Sequence, residues 1–128
     1  MRLLLDTHAF LWFVAGDTTL SARGRALIED DANEKLVSLA SLWEIAIKTS
    51  IGKLPLKKPF EQFIPEQLQR NGFQVFGLTV EHTAKVAALP LHHRDPFDRM
   101  LVAQCLVENL PLLSSDEPLD AYGIQRLW

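Results

Sequence analysis

The sequence predicts an α/β fold, with a parallel sheet of about five strands and helices on both faces of that sheet. Short apolar runs alternate along the chain with longer segments that have helical periodicity. Strands that alternate with helices connect through right-handed crossovers and form parallel sheets. The chain has 128 residues, of which 48% are hydrophobic, so we predict a single domain over residues 1–128 with a core that needs no disulfide.

Five short apolar runs predict the strands. The first, Arg2–Leu5, ends directly at a carboxylate, and its three consecutive leucines indicate burial on both faces. Runs of this length favour strands over helices. The predicted strands are residues 2–5, 35–39, 74–78, 112–114 and 124–127.

Six longer segments predict the helices, which are residues 7–15, 21–31, 41–51, 59–71, 80–89 and 96–108. Gly16 and Gly52 end the first and third of them, because glycine tolerates the left-handed conformation that closes many helices. Asp95 and Pro96 predict the start of the last helix, since Asp is a good cap and Pro suits the first helical position. Inside the fourth helix, Pro65 predicts a kink.

The charge and the cysteine content of the chain indicate which partners and which cellular setting are expected. The formal net charge of −3 weakly disfavours a nucleic-acid partner, but acids that bind a metal would also lower the net charge. Cys105 has no partner for an internal disulfide, which indicates a reducing, cytoplasmic setting. The apolar start is interrupted by Asp6 and His8 and is too short to span a membrane, so we expect neither a leader nor a membrane segment.

Four acids from distant segments are predicted to meet at one edge of the sheet. Asp6 follows the first strand, and Asp116 follows the fourth. Glu44 and Asp98 are predicted in the first turns of their helices. Ligands of parallel sheets bind beyond the carboxyl ends of the strands, and Mg²⁺ or Mn²⁺ prefers oxygen ligands of this kind. The four acids therefore indicate a metal site.

Each acid alone also has a purely structural interpretation. Asp6 could cap the helix that follows it, and Ser41 with Glu44 fits a capping box. Asp98 suits the positive end of a helix dipole, and Asp116 could cap a short turn. Only their joint placement favours metal binding over these alternatives.

Basic side chains near the acids have two interpretations. Lys48 lies one turn after the helix-borne glutamate, as in a surface ion pair, and Arg99 adjoins the acid of the last helix. Both are also candidates for substrate contact. For His92 and His93, an ordinary loop role is favoured over contact with a phosphate.

Four segments of the chain resemble the PIN-domain family, and in particular the small VapC-type toxins of bacterial toxin–antitoxin pairs. The resemblance covers nearly the whole chain, and the first and third segments are the most specific. A lone D-x-x-D or S-x-x-E would carry little weight, whereas four acidic segments in this order and spacing are specific. The segments are LLLDTHAFLWF, SLASLWEIAIKTSIGKL, HRDPFDRMLVAQCL and LLSSDEPLDAYGI.

The resemblance implies a PIN-like fold and a site for Mg²⁺ or Mn²⁺. By position, the three acids that bind metal in the family correspond to Asp6, Glu44 and Asp98. The family's fourth acid corresponds to Asp116. Ser114 stands where the family often has threonine, and it keeps the hydroxyl that can position a ligand or an acid. Asp95 is interpreted as a helix cap or a support of the site, because Asp98 fits the family pattern better.

The activity that the resemblance implies is hydrolysis of an RNA phosphodiester by a metal-dependent ribonuclease, the toxin of a type II toxin–antitoxin pair. Transfer RNA or another structured RNA is the expected substrate, and an antitoxin protein is the expected partner. Homodimerisation is also expected, with weak support from the apolar helix Thr7–Ala15. The alternative is a catalytically silent RNA- or protein-binding domain of the same fold, which would hold RNA in the presence of a chelator.

Two other classes of protein fit less well. Phosphatases of the haloacid-dehalogenase type carry D-x-D-x-T after the first strand, but here His8 stands where the second Asp of that pattern would be. A receiver-like domain needs an acidic pair after the first strand, which the segment LLLDTHA lacks. Nucleotide binding is disfavoured because no glycine-rich loop follows a strand.

Overall fold

The computed structural model describes residues 1–128 and contains one sheet of five strands, all of them parallel. The strands are β1 (Arg2–Leu5), β2 (Glu34–Ser38), β3 (Phe73–Phe76), β4 (Leu112–Leu113) and β5 (Arg126–Leu127). Their order across the sheet is β3-β2-β1-β4-β5, so β1 lies in the middle. The predicted α/β class, strand number and parallel arrangement are confirmed.

All six predicted α-helices are present, and a short 3₁₀ helix at Glu117–Tyr122 precedes the last strand. The helices are α1 (Thr7–Ala15), α2 (Ala22–Glu29), α3 (Leu39–Ser50), α4 (Phe60–Asn71), α5 (Val80–Ala88) and α6 (Pro96–Glu108). None of them combines the length and the apolar character that a bilayer crossing needs.

The central strand β1 contributes to a hydrophobic core on each face of the sheet. Leu3 and Leu5 belong to one core with Phe10 of α1, and Leu4 belongs to a second core with Cys105 of α6. Successive strand residues point to opposite faces, so an all-leucine strand needs helices on both sides. Cys105 is part of this second core, and its burial raises the pKa of the thiol to about 12. The thiol is therefore a poor nucleophile.

The start of α3 differs from the prediction, and the predicted capping box is wrong. The helix begins at Leu39 because the Ser38 hydroxyl accepts a hydrogen bond from the backbone N–H of Ala40. Ser41 is therefore inside the helix and not at its cap. Glu44 consequently lies in the second turn and not in the first, which places its side chain further from the helix start than we predicted.

The ends of α1 and α4 follow the expected residues closely. Gly16 closes α1 with a φ of 66°, a left-handed conformation that glycine adopts without strain. The α4 helix continues through Pro65 from Phe60 to Asn71, so this proline does not end the helix, and its kink stays a prediction.

Candidate active site

Two of the predicted acids come together because β1 and β4 are adjacent parallel strands. Leu5 pairs with Leu113, so Asp6 and Ser114 are the next residues on neighbouring strands. The backbone N–H of Asp6 donates to the Leu113 carbonyl at 3.0 Å. Asp116 lies two residues after Ser114, and its backbone N–H donates to the Ser114 hydroxyl at 3.0 Å. The strand register therefore brings Asp6 and Asp116 to the same edge of the sheet.

Asp6 both caps a helix and belongs to the acidic site. Its Oδ1 accepts a hydrogen bond of 2.8 Å from the backbone N–H of Ala9, as expected for a helix cap. Burial raises the pKa of Asp6 above its ordinary value, although the Ser114 hydroxyl and the Ala9 N–H lower it, and the charge of Asp116 raises it further. The cap occupies one carboxylate oxygen and leaves the other for a second partner.

Glu44 is buried and has a partner on each carboxylate oxygen. The Thr7 hydroxyl lies 2.7 Å from Oε1, and Lys48 pairs with Oε2 from one helical turn away. The Thr7 hydroxyl also lies 2.9 Å from that of Ser41. Because a carboxylate only accepts and Thr7 has one hydroxyl proton, we infer that Ser41 donates to Thr7 and Thr7 donates to Glu44. This chain of hydroxyls fixes the carboxylate across α1 and α3.

Lys48 forms the ion pair that the sequence predicted. Its hydrogen bond to Glu44 raises the pKa of the lysine, and the charges of Asp95 and Asp98 raise it further. The negative charges of three acids, Glu44, Asp95 and Asp98, thus act on the ammonium group of Lys48. Its predicted contact with a substrate stays a prediction.

Asp98 has a strongly raised pKa, at about 7 against an ordinary value of 3.8. Burial is the main cause, and the negative charges of Asp95, Asp6 and Glu44 add to it. Asp6 and Glu44 therefore act on Asp98 through their charges, as expected for acids at the same edge of the sheet. Without a compensating cation, the carboxyl of Asp98 keeps its proton up to about neutral pH.

Asp95 and Arg99 take structural roles beside the acids. Asp95 caps α6, since its Oδ1 accepts from the backbone N–H groups of Phe97 and Asp98 at 2.8 and 3.1 Å. The guanidinium of Arg99 donates to the Tyr122 hydroxyl and to three backbone carbonyls, those of Pro90, Val86 and Leu89. Arg99 thereby anchors the end of α5 and the loop after it, and its substrate contact stays a prediction.

His93 is a site residue for which the sequence favoured an ordinary loop role. Its Nε2 lies 3.0 Å from Oδ2 of Asp116 and 3.7 Å from Oδ2 of Asp98. Its Nδ1 accepts a hydrogen bond of 3.2 Å from the backbone N–H of Asp95. The only signal in the sequence was its position two residues before the cap of α6, and the path of the loop could not be predicted from that.

The donor set fits a hard divalent cation. It is dominated by carboxylate oxygens, and Nε2 of His93 lies with one carboxylate oxygen each of Asp98 and Asp116 in a cluster whose atoms are within 4.8 Å of one another. Acids crowded at one edge of the sheet repel each other, and the raised pKa of Asp98 results from burial together with that repulsion. A bound cation of charge +2 would relieve it.

A concave region lies between α1, α4 and the segment that joins α3 to α4. This groove has a volume of about 490 Å³ and includes His8, two residues after Asp6. Its apolar lining includes Leu11, Trp12 and Phe63. Its cationic side chains are Lys57, Lys58 and Arg70.

The fold and the site together define an α/β protein with an acidic centre at the carboxyl ends of its parallel strands. The family model described as "PIN domain" matches residues 3–124, which is nearly the whole chain. The chain therefore belongs to the PIN domain family, as the sequence resemblance indicated.

Individual relatives agree with this assignment. Ribonuclease VapC16 of Mycobacterium tuberculosis is 40% identical over 60 residues, and the match spans 47% of this chain and 43% of that relative, less than half of either. The structure of VapBC2 from Rickettsia felis, bound to a promoter DNA fragment, has a TM-score of 0.71 at 14% identity and covers 100% of this chain and 99% of that one. FitAcB from Neisseria gonorrhoeae has a TM-score of 0.67 at 15% identity, covering 98% and 96%. These two structures show the shared fold.

We predict that the stability of the metal-free protein falls as the pH rises from about 4 to about 7. Asp98 binds its proton up to about pH 7 in the folded chain, whereas its ordinary pKa is 3.8. The folded state therefore holds more protons than the unfolded state in this range, and raising the pH favours unfolding. The Asp98→Asn variant should lose part of this pH dependence. Above about pH 7, its free energy of unfolding should be higher than that of the wild type.

Urea unfolding in EDTA over a pH series measures this difference. Asp31→Asn, which replaces an exposed acid, is the matched control and should follow the wild type. An Asp98→Asn variant with the full wild-type pH dependence would show that this carboxyl does not cause it.

Proposed function

We propose that this protein is a metal-dependent endoribonuclease and the toxin of a type II toxin–antitoxin pair. Its PIN domain and its similarity to a relative named Ribonuclease VapC16 support activity on RNA. The observation that carries the proposal is the crowding of buried and half-buried carboxylates around Asp98, whose pKa is raised to about 7. Such crowding is costly unless a cation binds there, so it favours a working site over a silent one.

The residues that would hold Mg²⁺ or Mn²⁺ are Asp6, Glu44, Asp98 and Asp116. When bound, such an ion lowers the pKa of water and offsets negative charge at a phosphate, which is the chemistry that phosphodiester hydrolysis needs. The side chains around these acids orient and hold the site. Thr7 and Lys48 fix the two oxygens of Glu44, and Ser114 contacts both strand-end acids.

Lys48 is the candidate for contact with the RNA backbone. Its side chain is 39% exposed while it pairs with Glu44, so it has room for a second, anionic partner. We propose transfer RNA or another structured RNA as the substrate, and the cytoplasm as the place of action. The phosphate backbone of any RNA offers the negative charge that Lys48 would bind.

We expect purified protein to cut total small RNA at specific positions with Mg²⁺ or Mn²⁺, and to stop cutting in EDTA. Asp98→Asn should lower the rate at least about 100-fold, because it removes a charged ligand from the centre. Gel analysis of end-labelled RNA measures both effects. Glu61→Gln, which changes an exposed acid on α4, is the matched control and should cut like the wild type.

The same gels reveal a failure of the proposal. Cleavage that survives both EDTA and Asp98→Asn would come from a contaminant or from another site. RNA that is bound but never cut, with or without metal, would favour the silent binding domain instead.

We propose that an antitoxin protein encoded beside this one covers the groove between α1 and α4. The structural neighbour from Rickettsia felis is a VapBC2 assembly on promoter DNA, and the groove here includes His8, close along the chain to Asp6. Its apolar lining suits an amphipathic segment, and its cations favour acidic side chains in that segment. Lys58 pairs with Glu66 at 3.0 Å, whereas Lys57 and Arg70 form no ion pair and stay available.

Arg70→Glu should therefore weaken binding of the antitoxin about tenfold or more, because it places a negative charge opposite acidic partners. Calorimetry with the antitoxin encoded beside this protein measures the affinity, and RNA cleavage by the free protein should not change. Arg23→Glu, at an exposed position on α2, controls for net charge. Equal losses of affinity in the two variants would exclude a specific role of the groove.

Homodimerisation stays a proposal, but its best support lies on α3 and not on α1. Several outer side chains of α1 line the groove, whereas α3 exposes an apolar stripe at a spacing of four residues. The members of this α3 stripe are Leu39, Trp43 and Ile47 on the helix and Ile51 directly after its last residue, and they are 36% to 62% exposed. Four such side chains in line are typical of a covered surface, and a second copy of the chain would cover them symmetrically.

Ile51→Glu should shift the protein toward the monomer, because it places a charge within the apolar contact. Sedimentation velocity over a concentration series measures the association. Val80→Glu is the control, since Val80 is 85% exposed and lies on α5 outside the stripe. A wild-type protein that is monomeric throughout the series would contradict the proposed dimer.

A further inference from the structure

The loop between α5 and α6 is held in place at the level of its backbone. The hydroxyl of Tyr122 accepts hydrogen bonds from the backbone N–H groups of His92 and His93, at 3.2 and 3.0 Å. Arg99 donates to the same hydroxyl at 3.1 Å and to the Pro90 carbonyl at 3.0 Å. Tyr122 is buried, so this anchor is well protected. The loop therefore presents the ring of His93 from a fixed position.

The two ring nitrogens of His93 have different partners. Nδ1 accepts from the backbone N–H of Asp95 at 3.2 Å, so it carries no proton. In the neutral ring the proton must then be on Nε2, which lies 3.0 Å from Oδ2 of Asp116. His93 thus donates a hydrogen bond to Asp116, whereas Oδ2 of Asp98, at 3.7 Å, is too far from Nε2 to accept one.

This arrangement argues against direct metal ligation by His93, although its Nε2 is close enough to two carboxylates for ligation. Ligation requires a free lone pair on Nε2, which would move the proton to Nδ1. That proton would face the backbone N–H of Asp95, and two donors would oppose each other. Asp95 caps α6, so its N–H has little freedom to turn away.

We propose that His93 is a positioning residue that fixes the Asp116 carboxylate through an Nε2–H hydrogen bond, and that it is not a metal ligand. The hydrogen bond itself does not depend on the proposed function, whereas the expected effect of His93 on RNA cleavage rests on it. The Asp116 side chain is one-third exposed and its carboxylate has no hydrogen bond except that from His93, so without His93 it would be free to rotate. Its other oxygen, Oδ1, accepts no hydrogen bond and is left for the centre.

The first test measures the protonation of the ring in the metal-free protein. Long-range ¹H–¹⁵N spectra over a pH series should show His93 in the Nε2–H form wherever its ring is neutral. Asp116→Ala should shift the Nε2 resonance, and added Mg²⁺ should leave the proton on Nε2. A transfer of the proton to Nδ1 on metal addition, or a coordinated imidazole nitrogen in Mn²⁺ electron spin-echo spectra, would overturn the proposal.

The second test compares substitutions in the cleavage assay. His93→Ala should lower kcat about 10- to 100-fold with little change in KM, as is usual for groups that orient a ligand. His93→Gln should recover most of that loss, since its amide N–H can donate but binds metal poorly. His92→Ala is the matched control, because its ring packs edge-on against Tyr122 with centroids 5.1 Å apart and bonds to no acid.

The outcomes separate this inference from the proposed function. Wild-type activity in His93→Ala, or no recovery in His93→Gln, would overturn the positioning role while the nuclease assignment stands. If the wild type cleaves no RNA, the proposed function fails, and the spectra of the metal-free protein still decide whether His93 donates to Asp116.

Discussion

Mutual repulsion among the carboxylates at the carboxyl edge of the sheet is the constraint on which the site depends. Burial raises the pKa of a carboxyl, and neighbouring negative charges raise it further, so that together they bring the pKa of Asp98 to about 7. The protein nevertheless holds the other three acids with contacts of their own. Asp6 is tied to Ala9, Glu44 to Thr7 and Lys48, and Asp116 to His93. The fold therefore prepares the arrangement before any cation binds, at a cost in stability that functional sites often carry.

The position of β1 explains why this edge can gather acids from four segments. A central parallel strand has neighbours on both sides, so the residue after it stands between the ends of two other strands. Three fully buried leucines anchor β1 in both cores, which leaves Asp6 little freedom to move. Helix α3 then contributes Glu44 and helix α6 contributes Asp98, and the start of each helix is fixed by a side-chain cap. Rigid elements, more than loops, carry these three acids.

The sequence was sufficient to predict the features that depend on periodicity and on strand order. The strands, the helices, the parallel sheet and the convergence of Asp6 with Asp116 follow from apolar runs and from the rule that parallel strands end at one edge. The start of α3 was predicted two residues late because Ser38 and Ser41 are both good caps, and only packing selects between them. The contacts of His93 and Arg99 were missed for a related reason. They depend on where the loop after α5 runs, and that path is fixed by Tyr122, which is 29 residues away from His93 along the chain.

Helix capping by these acids is compatible with the metal site proposed for them, because a carboxylate has two oxygens and about four acceptor positions. Asp6 caps α1 with Oδ1 alone, and Asp95 uses only Oδ1 to cap α6. Glu44 differs, since the hydroxyl of Thr7 and the ammonium of Lys48 already contact both of its oxygens. A cation near Glu44 would weaken the ion pair between Glu44 and Lys48, because the negative charge of the carboxylate would then be shared by two cations. Under the proposed function, Lys48 would then be free to contact an anionic group of the RNA, and filling of the centre would be coupled to recognition of a phosphate.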